Sequence, residues 1–120
     1  MRGLHLTGDL YRCACDRRYL VDLARLRAEC IAFCSDAGLE VVGDTFYQFG
    51  GAGGVTGTVL LAESHFAIHT WPETSSVTLD VYVCNYSHEN SRKAEALFAS
   101  VVGLLQPGEE ITNRLQRGKL

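Results

Sequence analysis

Two prolines and a single tryptophan are spread over 120 residues, so little in this sequence forces the chain to break. So few prolines leave no room for a stiff linker, and an apolar share of 47% excludes a disordered chain. No apolar run approaches the ~20 residues that a bilayer-spanning helix needs. The opening Met1-Arg2-Gly3-Leu4-His5 lacks the apolar stretch of a secretory signal, so a cytoplasmic protein is expected. Basic residues number 11 against 14 acidic ones, and no basic cluster exceeds a pair such as Arg17-Arg18. The basic face of a nucleic-acid module is therefore missing. Missing too are the paired Cys-x2-Cys knuckles of structural zinc sites. The five cysteines stand at 13, 15, 30, 34 and 84, an odd number without an export signal, and free thiols are expected.

What is present is enough for one domain, residues 1–120. Residues 4–12 alternate as a first strand, and Asp16 is placed to cap a helix running to about Ala37. Its apolar stripe is Leu20, Leu23, Leu26, Cys30, Cys34 and Ala37, and Gly38 is its natural stop. Leu39–Phe49 reads as a second strand ending in the glycine-rich run 50–54, a hairpin connection with no lysine or helix start to make it a phosphate cradle. Val55–Trp71 is extended with a break near Ser64, and Val77–Cys84 alternates cleanly. Asn90 or Ser91 can cap a second helix bearing Ala94, Leu97, Phe98, Val101, Val102 and Leu105, before a short strand Ile111–Leu115. Consecutive strands joined by short turns favour an antiparallel sheet, and two helices can cover only one of its faces. The expectation is an α+β two-layer sandwich. Thr78, Asp80, Tyr82 and Cys84 then project from the uncovered face, which either stays wet or meets a partner chain.

Chemistry concentrates in residues 61–73, Leu-Ala-Glu-Ser-His-Phe-Ala-Ile-His-Thr-Trp-Pro-Glu. Ser64 and His69 are five apart, so an unbroken strand puts them on opposite faces; a bulge or turn at Ser64 would bring them to one side, with Cys84 across from them. A serine near a histidine invites a hydrolase reading, yet Ser64 lacks the Gly-x-Ser-x-Gly elbow. His65-x3-His69 on a strand does not aim both rings at one metal, and no metal site is assigned. The plain reading of His65 is a hydrogen-bonded, half-buried histidine, and that of Trp71 is core or interface packing.

Glu63-Ser64-His65-x3-His69-Thr70-Trp71-Pro72-Glu73, followed by Leu79-Asp80-Val81-Tyr82-Val83-Cys84, resembles the prokaryotic S-adenosylmethionine decarboxylase proenzymes. The resemblance runs from His5-Leu6 through Phe46 and Phe49 to Arg117-Gly118, and includes the separations of 5 from Ser64 to His69 and 20 from Ser64 to Cys84. It implies a self-made cofactor. Ser64 attacks the carbonyl of Glu63, His69 removes the α-proton, and elimination cuts the chain into a β chain, 1–63, and an α chain, 64–120, whose first residue is a pyruvoyl group. That ketone forms a Schiff base with the substrate and acts as an electron sink that no natural side chain supplies. The resemblance further implies Cys84 as proton donor in turnover and Thr56 as support for processing. Phe49 and Glu73 are implied contacts to S-adenosylmethionine, with a pocket between the protomers of a homodimer. The product would feed spermidine synthesis.

The chain departs from the family at some places. Thr56 stands where serine is common, Thr74-Ser75-Ser76 where many members have Tyr-Gly-Tyr, Tyr47 where a histidine occurs, and the 50–54 loop has one extra residue. These reshape the pocket wall and leave Ser64, His69 and Cys84 intact. Two alternatives stay open on sequence alone: a pyruvoyl decarboxylase of ornithine or arginine, and an unprocessed binding partner.

Overall fold

Six strands form in the computed structural model, which describes residues 1–119: β1 (Arg2–Tyr11), β2 (Val41–Gln48), β3 (Val55–Leu61), β4 (Ser64–Trp71), β5 (Ser76–Cys84) and β6 (Glu109–Gly118). They form one sheet in the order β2-β3-β4-β5-β1-β6, every pairing antiparallel. Helices α1 (Arg18–Val21), α2 (Leu23–Asp36) and α3 (Ser91–Leu105) supply the second layer. Leu26 and Cys34 of α2 and Leu97 and Leu105 of α3 are fully buried, as are Leu4 and Leu10 of β1, Phe66 and Ile68 of β4, and Val77, Val81 and Val83 of β5. This is the expected two-layer sandwich, with the side of β5 that carries Val77, Val81 and Val83 claimed by the helices.

The first helix departs from the expectation of one continuous rod from Asp16 to Ala37. Asp16 does receive the Arg18 N–H at 3.0 Å, but the rod stops at Val21 because Asp22 adopts an extended backbone (φ −113°, ψ 105°). The Asp22 carboxylate then accepts the Arg25 N–H at 3.3 Å and starts α2. Aspartate does this because its short side chain offers the backbone an alternative to helical pairing. Gly38, at φ +87°, ends α2: its N–H reaches the Ser35 carbonyl while the Leu39 N–H reaches Cys34, the paired bonds of a left-handed helix stop.

Two boundaries differ at the strands. The break in the 55–71 segment falls at Ala62-Glu63, so Ser64 is the first residue of β4. The last strand spans Glu109–Gly118, longer than Ile111–Leu115, and all ten residues are exposed. Its ladder with β1, continuous from Arg2↔Gly118 to Tyr11↔Glu109, extends it without an apolar pattern for a sequence reading to find. No helix among the described residues is long and apolar enough to cross a membrane.

An alanine methyl at position 38 would meet Lys93 Cε at an ordinary 3.5 Å, so backbone strain decides that substitution. In an uncut Ser64→Ala background, Gly38→Ala should lower unfolding stability by about 1 kcal/mol with an unchanged urea m-value. Equilibrium urea denaturation measures it.

Candidate active site

Ser64 follows a two-residue turn whose second member, Glu63, has φ +61°, a left-handed conformation that turns ordinarily give to glycine or asparagine. The turn is held from two directions. The Ala62 N–H donates to the Glu40 carbonyl at 3.0 Å, and the Ser87 hydroxyl donates to Glu63 Oε1 at 3.0 Å. Ser64 Oγ in turn accepts the backbone N–H of Cys84 at 3.3 Å, which puts the serine beside the end of β5. Cys84 is only 7% exposed yet stands apart from the main apolar core, and its carbonyl is pinned by the buried Asn90 side-chain amide at 2.9 Å. Asn90 thus spends its side chain on Cys84; the Ser91 N–H at the start of α3 is met by Glu89 instead.

A second group forms at the far end of β4. His69 pairs across the ladder with Thr56 of β3, and its Nδ1 lies 3.1 Å from Thr56 Oγ1. With hydrogen on Nδ1 the ring donates to that hydroxyl and leaves the Nε2 lone pair free to take a proton. Phe49, Thr56, His69, Trp71 and Glu73 line one cavity of about 210 Å³. Phe49 is 51% exposed and meets Tyr47 edge-on with ring centroids 5.0 Å apart, so a ring face remains for a ligand. Trp71 is 47% exposed with its indole N–H 3.5 Å from Thr78 Oγ1, which removes it from the core and makes it a wall of this cavity.

The fold therefore brings the expected residues together in two sets, Glu63-Ser64-Cys84 and Phe49-Thr56-His69-Glu73, and keeps the sets apart. β4 runs unbroken from Ser64 to Trp71, and the turn that would swing Ser64 onto the face of His69 lies before Ser64. Five residues of strand separate Ser64 and His69 by about 17 Å and by one reversal of face. Opposite His69 stands Thr78, not Cys84.

Sequence reading missed a third cluster. Asp80 Oδ2 accepts from both His5 Nε2 and His65 Nε2 at 2.9 Å. The three could in principle cradle a cation. Arg117 Nη1, however, donates to His5 Nδ1 at 3.3 Å, which leaves the ring hydrogen on Nε2, facing Asp80. A metal at that nitrogen would need the hydrogen moved to Nδ1, against the guanidinium. Hydrogen bonding, not ligation, explains the cluster, and His65 is the bonded, half-buried histidine expected. The adjacency of β4 and β1 to β5, with His5 and Asp80 75 residues apart in sequence, creates it. The other thiols offer no rival centre: burial pushes Cys13 up to about 11 and Cys34 up to about 12, and raises Cys15 and Cys30 as well.

Together these features define a two-layer α+β protein with a strained turn feeding a serine, and an open sheet face carrying polar side chains. The chain matches the S-adenosylmethionine decarboxylase family over residues 4–118, and it belongs to that family. It is 33% identical over 118 residues to the S-adenosylmethionine decarboxylase proenzyme of Thermoplasma acidophilum, covering 98% of this chain and 85% of that one. It is 38% identical over 105 residues to the proenzyme of Pyrobaculum aerophilum, covering 88% and 79%. The crystal structure of the adenosylmethionine decarboxylase from Aquifex aeolicus superposes with a TM-score of 0.86 at 32% identity, over 98% of this chain and 92% of that chain.

The Thr56–His69 contact generates an expectation of its own. Thr56→Val should shift the His69 ring nitrogens' 15N resonances, whereas Thr56→Ser should leave them near wild type. Long-range 1H–15N spectra of the Ser64→Ala protein read this directly.

Proposed function

We propose that this chain cuts itself between Glu63 and Ser64 and that the product decarboxylates S-adenosylmethionine. The observation that carries the reading is the turn: Glu63 sits at φ +61° immediately before a serine. A non-glycine residue in that region stores about 1–3 kcal/mol, which the attack of Ser64 Oγ on the Glu63 carbonyl carbon and the following chain break release. The bond sequence balances. Oγ bonds to the carbonyl carbon as the C–N bond breaks, giving an ester. A base then takes the Ser64 α-proton, the Cβ–O electron pair leaves with the Glu63 carboxylate, and water hydrolyses the resulting dehydroalanine, releasing its nitrogen as ammonia and leaving the ketone.

The residues present fit a pyruvoyl group at position 64: a serine after a strained turn, a thiol residue at its hydroxyl's backbone partner, and no side chain of the chain itself able to act as a carbonyl electron sink. Such a group supplies a ketone that accepts the electrons left by departing carbon dioxide. Cys84 places a thiol residue beside residue 64, in position to serve as an acid in turnover. The cavity at the other end of β4 suits the remainder of the substrate, with Phe49 as a ring platform for adenine and for the sulfonium charge and Glu73 as an acceptor for ribose hydroxyls.

His69 and Ser64 are too far apart to act on one bond within one chain. A second copy packed on the uncovered sheet face supplies a second His69, with the Thr56–His69 pair of one protomer set at the strand end that carries the Glu63–Ser64 turn and Cys84 of its partner. The isologous dimer so formed holds two composite sites. Aminopropyl transfer in spermidine synthesis is the reaction class that would consume the product.

Intact mass of the purified protein tests the cut. Wild type should give two fragments, 1–63 and 64–120, and Ser64→Ala a single chain of about 13 kDa; an active wild type retaining serine at 64 refutes the reading. Carbon dioxide release from S-adenosylmethionine, ornithine and arginine in parallel tests the substrate, and preference for either amino acid rejects it. Cys84→Ala should still be cut and should turn over at least tenfold more slowly.

Mixing variants tests the composite site. His69→Ala alone should stall as an ester that hydroxylamine cleaves. Coexpressed with Ser64→Ala, the His69→Ala chain should be cut, because its Ser64 meets the partner's intact imidazole. A His69→Ala chain that stays whole in the mixed dimer rejects the arrangement.

A further inference from the structure

The inference concerns where the new chain end goes, and it rests on the cleavage reading. Breaking the Cβ–O bond at residue 64 leaves both electrons on an oxygen attached to the Glu63 carbonyl carbon. A neutral peptide unit becomes an α-carboxylate carrying one full negative charge. That carboxylate cannot stay where the peptide bond was, because a 1.33 Å covalent separation must widen to a van der Waals contact. It needs both a space and a counter-charge.

Behind the turn lies a cavity of about 440 Å³ whose walls include Gly38, Glu40, Glu63, Ser87, His88 and Lys93. Lys93, in the first turn of α3, is its sole lysine or arginine and forms no ion pair among the described residues. The lysine stem runs along Gly38, where an added Cβ would lie 3.9 Å from Nζ. Glu40 and Glu63 line the same cavity as this one lysine, and cleavage adds a further negative charge there. The Ser87 bond to Glu63 Oε1 and the Ala62–Glu40 bond keep the severed end at the cavity mouth.

We infer that this cavity receives the α-carboxylate released at Glu63, with Lys93 as its counter-ion and the Ser87–Glu63 bond as its tether. Once cut, Glu63 is free of its left-handed conformation and turns inward, taking its negative charge away from residue 64. Lys93 is a positioning residue: it clears the new amino-terminal end of the α chain for an incoming substrate carboxylate, and it takes no part in bond cleavage.

Labelling with [1-13C]glutamate tests this, because in a cleaved protein Glu63 alone carries its label in a free carboxyl. In processed wild type that carbon should titrate below the ordinary α-carboxyl range of about 3.3–3.7. Lys93→Met should raise its pKa by about one unit, a tenfold change in proton affinity, and Lys93→Arg should restore it. A second measurement works at neutral pH. Carboxypeptidase should remove Glu63 from the 1–63 chain at least tenfold faster in Lys93→Met than in wild type or Lys93→Arg, as read by intact mass. Cleaved proteins with equal pKa values and equal trimming rates overturn the inference. A protein that never develops the free carboxyl signal overturns the cleavage reading itself, so the two failures are distinct.

Discussion

The register of β4 governs everything else in this protein. Phe66 and Ile68 point into the helical layer and are completely buried, so a slip of one residue against either neighbour would push both rows of side chains to the wrong face. Burying side chains of that size is worth roughly 1.5–3 kcal/mol each, and Thr70 adds a fully satisfied buried hydroxyl, donating to the Leu20 carbonyl at 2.7 Å while accepting the Val55 N–H at 2.8 Å. Pinned in this way, β4 has Ser64 at one end and His69 near the other. The ladder with β3 then brings Thr56 to His69, and the turn from β5 into α3 brings Cys84 to Ser64. Separation of the reactive groups is thus a product of core packing. The chain cannot gather them without giving up its best-buried residues.

Legibility in the sequence followed the range of the forces involved. The alternation at 77–84, the apolar stripes of α2 and α3 and the stop at Gly38 are encoded locally, and each is found where local rules place it. The Asp22 break was missed because its signal, one aspartate with a free N–H three residues on, is indistinguishable in a sequence from a solvated helix face. β6 was underestimated because nothing in Glu109–Gly118 buries; only its ladder with β1 defines it. The site divides along the same line. Its residue types were evident in one short segment and one strand end, whereas their grouping into two stations depends on pairing register. The His5–Asp80–His65 cluster joins three strands and has no local signature at all.

That cluster also shows how the open sheet face differs from the covered one. His5 meets His65 and Tyr82 in T-shaped contacts and His65 lies tilted against Tyr82, with centroids 5.7–6.0 Å apart; Asp80 is shared by two imidazoles, and Arg117 lies over the Tyr82 ring at 5.1 Å. Within this cluster His5, His65, Asp80 and Arg117 bond one another. A second sheet laid on the cluster would cover aromatic surface while those bonds persist, and stranding unpaired donors or acceptors is the costly step in burying polar residues. An internally bonded polar cluster is therefore compatible with self-association in a way that an equally polar but unpaired one is not.

The division of the site has a consequence for specificity. Tyr47 packs on Phe49, and Thr74 and Ser75 continue the short helical turn that begins at Pro72-Glu73. Every departure from the family pattern noted at the sequence level, including Thr56 and the lengthened 50–54 loop, falls at this end of β4. None falls at the Glu63 turn or at Cys84. In the proposed self-cleavage, bond breaking at residue 64 draws on the backbone strain of the Glu63 turn, whereas Cys84, held through Asn90, serves turnover. The proposed recognition surface is the wall around Phe49 and His69. The two ends are about 17 Å apart in one chain, so in the proposed dimer a change in the wall would reach the cut only through the imidazole of His69 and its threonine. On that reading, substitutions around Phe49 and Glu73 would retune what is bound and leave the proposed self-cleavage untouched, so long as the Thr56–His69 hydrogen bond survives.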